Sequence, residues 1–107
     1  MDRLNRLKEM LGDSPEDPFL LFAMAKEYES IGEHEEALKG YHSLKNLHPD
    51  YTGLYYHLGK LLEQLKRPEE ARMTYEEGIR ACKRVGDHHA LRELSGAVAN
   101  LEMDLDD

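Results

Sequence analysis

The stretch PFLLFAMAKEYESIGEHEEALKGYHSLKNLHPDY, residues 18–51, decides the reading of this chain, because residues 52–85 repeat its pattern 34 residues on. Ala37 recurs as Ala71, and around it Glu35-Glu36-Ala37 recurs as Glu69-Glu70-Ala71. Tyr41 recurs as Tyr75, and the small residue Ala25 recurs as Gly59. Large apolar or aromatic residues keep the same step in Leu21 and Tyr55, Met24 and Leu58, Tyr28 and Leu62, Ile31 and Leu65. A period of this length, built as helix, turn, helix, marks a helical repeat array.

Outward from that stretch, the apolar residues Leu4, Leu7, Met10 and Leu11 form a helical stripe in residues 2–12, with Gly12 expected as its C-terminal cap. Leu7 lies 34 residues before Tyr41, and Pro15 lies 34 before Pro49, so this opening helix reads as the second half of a unit. Arg3 falls where Ala37 and Ala71 fall later, which argues against a full partner helix there. Asp17 is the expected cap of the next helix, with Pro18 in its first turn and Gly32 at its end. Glu33 to Leu47 forms its partner, with Ala37, Tyr41 and Leu44 inward and Pro49 preventing continuation. Asp50 or Thr52 caps a third long helix reaching Leu65, and Pro68 opens a fourth, striped by Ala71, Tyr75, Gly78, Ile79 and Cys82.

Gly86 closes that helix, and Asp87 caps a last one in which Leu91, Leu94, Ser95, Val98 and Leu101 reproduce the first-helix pattern. The match needs two extra residues at the junction, a cheap loop insertion. This final helix is expected to act as the cap of the array. Glu102, Asp104, Asp106 and Asp107 crowd its C-terminal end, where the helix dipole disfavours negative charge and fraying is expected, with Leu105 the one residue whose loss could matter.

The chain resembles the tetratricopeptide repeat (TPR) family, in particular small bacterial TPR domains. The family pattern is carried in the first unit by Leu21, Met24-Ala25, Tyr28, Gly32, Ala37, Tyr41, Leu44 and Pro49. Tyr55, Leu58-Gly59, Leu62, Ala71, Tyr75 and Gly78 carry it in the second, where Lys83 replaces the closing proline. The resemblance implies an all-α fold of about six helices, an antiparallel helix-pair solenoid wound as a right-handed superhelix, with a concave groove for peptides and no catalysis. It divides a single domain into a half-repeat helix (2–12), two units (18–51 and 52–85) and a capping helix (87–104). The small residues then serve close approach: Ala25 or Gly59 on one helix and Ala37 or Ala71 on the other let two backbones cross.

Composition narrows the function. Twenty-two acidic against fourteen basic residues give a net charge of −8, which disfavours nucleic acid, whose affinity comes from clustered Lys and Arg. One cysteine, Cys82, excludes an internal disulfide and favours a reducing compartment. No apolar run approaches the roughly 20 residues that span a bilayer, and residues 1–11 are too charged for a signal peptide, so a cytoplasmic protein without a membrane partner is expected. The six histidines, 34, 42, 48, 57, 88 and 89, show no zinc-site spacing, and Cys82 falls in an apolar stripe as a core residue. The carboxylate pairs Glu35-Glu36, Glu69-Glu70 and Glu76-Glu77 read as solvated first turns and outer faces, so neither a metal, a cofactor nor an enzyme is expected.

In the family the concave wall is built by the first helix of each unit. Here the resemblance puts Phe19, Phe22, Lys26, Glu29 and Ser30 on that wall, then Gly53, Tyr56, His57, Lys60, Glu63 and Gln64, then His89, Arg92, Gly96, Ala99 and Asn100. Of these, Phe19, Phe22, Lys26, Tyr56, His57, Lys60, His89 and Arg92 are the candidate contacts of a protein or peptide partner with acidic and apolar side chains. The competing reading pairs Lys26 with Glu29 and Lys60 with Glu63 as an ordinary solvated face. TPR domains that clamp a chaperone's C-terminal carboxylate use Lys, Asn and Arg at positions that here hold Phe22, Lys26, His57, His89 and Glu93. That clamp is not implied. A noncatalytic scaffold for protein binding is therefore the expectation, with a self-assembling homodimer or larger oligomer, joined at an open edge around Leu4, Leu7 and Leu11, as its rival.

Overall fold

A computed structural model describes residues 2–106, with side chains through Asp104. Among the described residues there are six helices and no strands: α1 (Arg3–Asp13), α2 (Pro18–Ser30), α3 (His34–Leu47), α4 (Gly53–Gln64), α5 (Pro68–Val85) and α6 (His88–Asp106). They gather into two compact units, Met1–Tyr51 and Thr52–Asp107, so that α1 belongs with the first helix pair and α6 with the second. Among the described residues no helix is long and apolar enough to cross a membrane.

Local chemistry explains most boundaries. The Asp2 carboxylate accepts from the Asn5 N–H at 2.8 Å, and Asp17 accepts from Leu20 at 3.1 Å with Pro18 opening α2, so each satisfies a backbone donor that has no partner inside its helix. The α2–α3 turn is closed by Gly32 at φ 79°, a left-handed conformation that costs glycine nothing. At the equivalent turn of the second unit Lys66 holds φ 64°, which a side chain tolerates at a cost of about 1 kcal/mol.

Three expectations need correction. Gly12 does not cap α1; the helix runs through it to Asp13, and the Ser14 N–H bonds the Met10 carbonyl at 3.1 Å. Thr52 stands at the start of α4 but makes no cap there, because its hydroxyl bonds the Asp87 carboxylate at 2.6 Å. The two extra residues after the second unit are not a loop insertion: with Lys83 where a proline would stop the helix, α5 continues to Val85 and Gly86 closes it at φ 79°. Ile31, the cap residue of α2, is exposed although it keeps the apolar step, and α6 buries Leu94, Ala97 and Leu101 while Ser95 is exposed. The expectation about Leu105 and the final aspartates lies outside the described side chains.

In unit 1, α2 packs against both α1 and α3. Leu7 of α1 is buried with Leu20 and Ala23, against which Leu11 and Met24 also pack, so the expected open edge at Leu7 is closed. Arg3, at the position of the later alanines, pairs with Glu27 at 3.3 Å and carries charge where α3 and α5 carry a methyl. Ala37, Tyr41 and Leu44 are fully buried. The close approach falls at Ala25 and Gly40, where a β-carbon on Gly40 would lie 3.2 Å from that of Ala25.

Unit 2 solves the same crossing differently. There Gly59 offers no side chain, and the Tyr75 ring occupies the space its β-carbon would need. Tyr55, Leu58, Leu62, Ala71, Tyr75 and Cys82 are buried as the repeat implies, but Leu54 and Leu61 are buried as well. Leu61 was hidden from the comparison of units because its counterpart is Glu27.

Gly59→Ala is expected to lower stability by about 1–3 kcal/mol, since the added methyl meets an immobile ring. Gly40→Ala, where a small shift suffices and helix propensity improves, should be near neutral. Urea melts of both variants check the ranking. Asp87 gives a second test. The Thr52 hydroxyl and the Ala90 N–H, with the nearby His89 and His88, hold its carboxyl below the usual range, against a smaller opposing effect of desolvation. A depressed carboxyl contributes stability above its unfolded pKa of about 4, lost as pH falls through the folded value. Thr52→Val should therefore lower the melting temperature at pH 7, and the gap to wild type should shrink below about pH 4.

Candidate functional site

The candidate contacts divide between the two units. Phe19, Phe22 and Lys26 sit on α2 in unit 1; Tyr56, His57 and Lys60 on α4, and His89 and Arg92 on α6, sit in unit 2. Steps of three and four residues keep Phe19, Phe22 and Lys26 on one stripe of α2, and on α4 Tyr56 and His57 each lie one turn before Lys60.

In unit 1 the three residues differ in availability. Phe19 is 68% exposed, an apolar ring presented to solvent. Phe22 is half-buried, with ring centroids 6.3 Å from Tyr41 and 5.5 Å from Tyr51. It therefore links α2 to α3 and to the end of the unit, and only part of it faces outward. Lys26 is exposed.

In unit 2, Lys60 lies 5.5 Å above the Tyr56 ring and 3.8 Å from the Glu63 carboxylate. The Tyr56 ring meets His57 edge-on at 5.8 Å. Both aromatic residues are half-buried, so α4 offers a fixed cation on an aromatic platform, partly compensated by one carboxylate. His89 and Arg92 are exposed near the start of α6, with His89 3.8 Å from Glu93. Lys60–Glu63 is the pair that the solvated-face reading required.

Two further residues shape these faces. The buried Tyr41 hydroxyl donates to Glu29, and the buried Tyr75 hydroxyl donates to Glu63, the same bond in each unit. Each carboxylate is thus held from behind by the second helix of its pair. The signal was present in the sequence, since both the Glu and the Tyr keep the 34-residue step, but the glutamates read as partners of lysines alone. Burial, then the hydrogen bond to the glutamate and its charge, push both phenols well above the usual tyrosine range. Tyr51 is raised as well, by burial and then by Asp17.

The remaining reactive groups do not gather. Cys82 is buried and its thiol is pushed up by burial and by Asp87, which keeps it a core residue. His48 Nε2 lies 2.6 Å from the Glu16 carbonyl oxygen, tying the end of α3 to the turn before α2. Among the described residues no three His, Cys, Asp or Glu side chains are grouped to hold a metal.

The family model described as tetratricopeptide repeat matches residues 52–84. A tetratricopeptide repeat domain protein from Salinibacter ruber, solved in solution, is 41% identical over 82% of this chain and 89% of that one, with a TM-score of 0.79. A protein from Bordetella parapertussis is 25% identical over 97% of this chain and 90% of its own, with a TM-score of 0.83. The TPR2B domain of yeast Sti1, in its pHsp70 complex, shares the fold at 16% identity, covering 94% of this chain and 81% of that one, with a TM-score of 0.85. No curated protein matches the chain.

The tyrosine–glutamate bonds are testable. A phenol whose folded pKa is raised contributes stability fully present below its unfolded value of about 10 and lost as pH rises above it. Tyr41→Phe with Tyr75→Phe should cost about 1–2 kcal/mol per bond at pH 7, and the stability of the double variant should fall less than that of wild type between about pH 10 and 12. Denaturant titrations along a pH series measure both.

Proposed function

Because this chain belongs to the tetratricopeptide repeat family, we propose that it is a noncatalytic protein-interaction module whose first helices bind an extended segment with acidic and apolar side chains. The observation that carries the reading is a lysine on the same helical stripe as aromatic residues in each unit's first helix: Lys26 shares its stripe with Phe19 and Phe22, and Lys60 lies over the Tyr56 ring. In a protein of net charge −8 these cations stand against the prevailing sign, and a rigid aromatic beside a cation is the combination that anchors an acidic, apolar ligand.

Holding Glu29 and Glu63 from behind with tyrosine supports this reading. A carboxylate already accepting a buried hydroxyl is less free to neutralise the neighbouring lysine when a ligand competes for it. The fold shared with the Sti1 domain fits a peptide-binding role, but with Phe22, His57, His89 and Glu93 at the clamp positions the ligand is an internal segment and not a free carboxylate end. A lone, buried cysteine is in keeping with a reducing, cytoplasmic setting.

Selection of a random peptide library on the immobilised protein is expected to enrich sequences combining Asp or Glu with large apolar residues. Lys26→Glu and Lys60→Glu should each weaken the enriched peptides about tenfold or more, with helicity by circular dichroism unchanged. Enrichment of basic peptides, or indifference of the selected peptides to both reversals, would sink the proposal.

A further inference from the structure

A second exposed feature lies off the lysine-bearing stripe. Between α1 and α2 runs a groove of about 380 Å³, floored by the buried Leu7 and Leu20 and rimmed by Arg3, Arg6, Met10 and Phe19. Met10 is 52% exposed, so α1 turns an apolar side chain to solvent directly beside two arginines. Arg3 is paired with Glu27, whereas the Arg6 side chain makes no ion pair among the described residues. Such a groove suits an occupant that is acidic and apolar at once.

The chain carries a matching segment. Near the end of α6, Glu102, Met103 and Asp104 are all exposed, Met103 at 66%. Successive helical residues are about 100° apart, so the two carboxylates flank the methionine on either side. They also sit in the closing turns of α6, where the helix dipole makes negative charge unfavourable until a cation approaches.

We propose that the α1–α2 groove of one copy receives the end of α6 from a second copy, with Met103 lying between Met10 and Phe19 and the carboxylates beside Arg3 and Arg6. Burial of three exposed apolar side chains drives the contact, and two arginines facing two carboxylates fix its orientation. Donor and acceptor are different surfaces, so a dimer joined by one such contact keeps a free groove and a free α6 end. Assembly does not require a bound peptide. Phe19 alone belongs to both faces, and the test avoids it.

Sedimentation velocity across a wide concentration series is expected to show a mass that grows past the dimer at low salt and shrinks toward the monomer at about 0.5 M salt, where exposed charges are screened. Arg6→Glu and Asp104→Lys should each weaken association about tenfold or more, because a like charge then faces its neighbour. Mixing these two variants should restore the contact, since each mutated surface now meets its complement and each native surface its own. Met10→Ser leaves every charge in place and serves as a second probe should a reversal disturb folding, which circular dichroism reports. A wild type that stays monomeric at low salt throughout, leaving the groove to another partner, overturns the proposal. So does association that ignores Arg6→Glu, Asp104→Lys and Met10→Ser, or a mixture of the reversed variants that fails to recover.

Discussion

How closely two helices of a pair can approach governs the rest of each unit. Where α2 meets α3, Ala25 faces Gly40; where α4 meets α5, Gly59 yields its space to the Tyr75 ring. A close crossing brings the second helix near enough for the tyrosine that fills the core to extend past the first helix's backbone and bond a glutamate beyond it. With the pair held further apart, neither Tyr41 nor Tyr75 would span the distance, and their hydroxyls would be buried without an acceptor. The packing of small residues and the electrostatics of the outward stripe are therefore parts of one constraint.

That coupling gives the outward stripe its character. The glutamate is fixed by the interior, the lysine stands one turn earlier on the surface, and in unit 2 an aromatic ring supports the lysine from below. Fixed groups lose little conformational freedom when a ligand arrives, which is why contacts borne on helices favour binding more than the same contacts on loops. Partial compensation of Lys60 by Glu63 also sets a threshold: a single weak acid gains little there, whereas an acidic side chain backed by apolar contact with Tyr56 gains from both.

Much of this was legible in the residues. Periodicity gave the helix pairs, Asp17-Pro18 and Gly86 gave sharp boundaries, and the 34-residue step located Tyr41, Tyr75, Ala37 and Ala71 in the core. What escaped depends on choices the sequence leaves open. Gly12 is compatible with a cap or a helix interior, and the helix continued because Ser14, not Gly12, bonds back to Met10. Thr52 could bond its own helix or a carboxylate brought near by folding, and Asp87 is a stronger acceptor than water for its hydroxyl. Glu29 and Glu63 lay on the expected stripe, but their bonds run twelve residues along the chain to a neighbouring helix, beyond any local pattern. For the candidate site, the helices and stripes were readable, while the burial of Phe22 between two tyrosines followed only from tertiary packing.

The unequal solutions at the two crossings also give each helix pair its own steric signature. At the α4–α5 crossing a methyl in place of the Gly59 hydrogen would meet the Tyr75 ring, whereas at the α2–α3 crossing the Ala25 methyl is accommodated opposite Gly40. Overfilling a crossing and leaving it hollow both cost stability, so a helix fits best against the partner whose side chains match its own. Duplicated sequences carry an inherent hazard of exchanging halves, within one chain or between neighbouring chains during synthesis. Here the exchange of Ala25 and Gly40 for Gly59 and Thr74 gives the two repeats unlike crossings, a difference that works against such exchange.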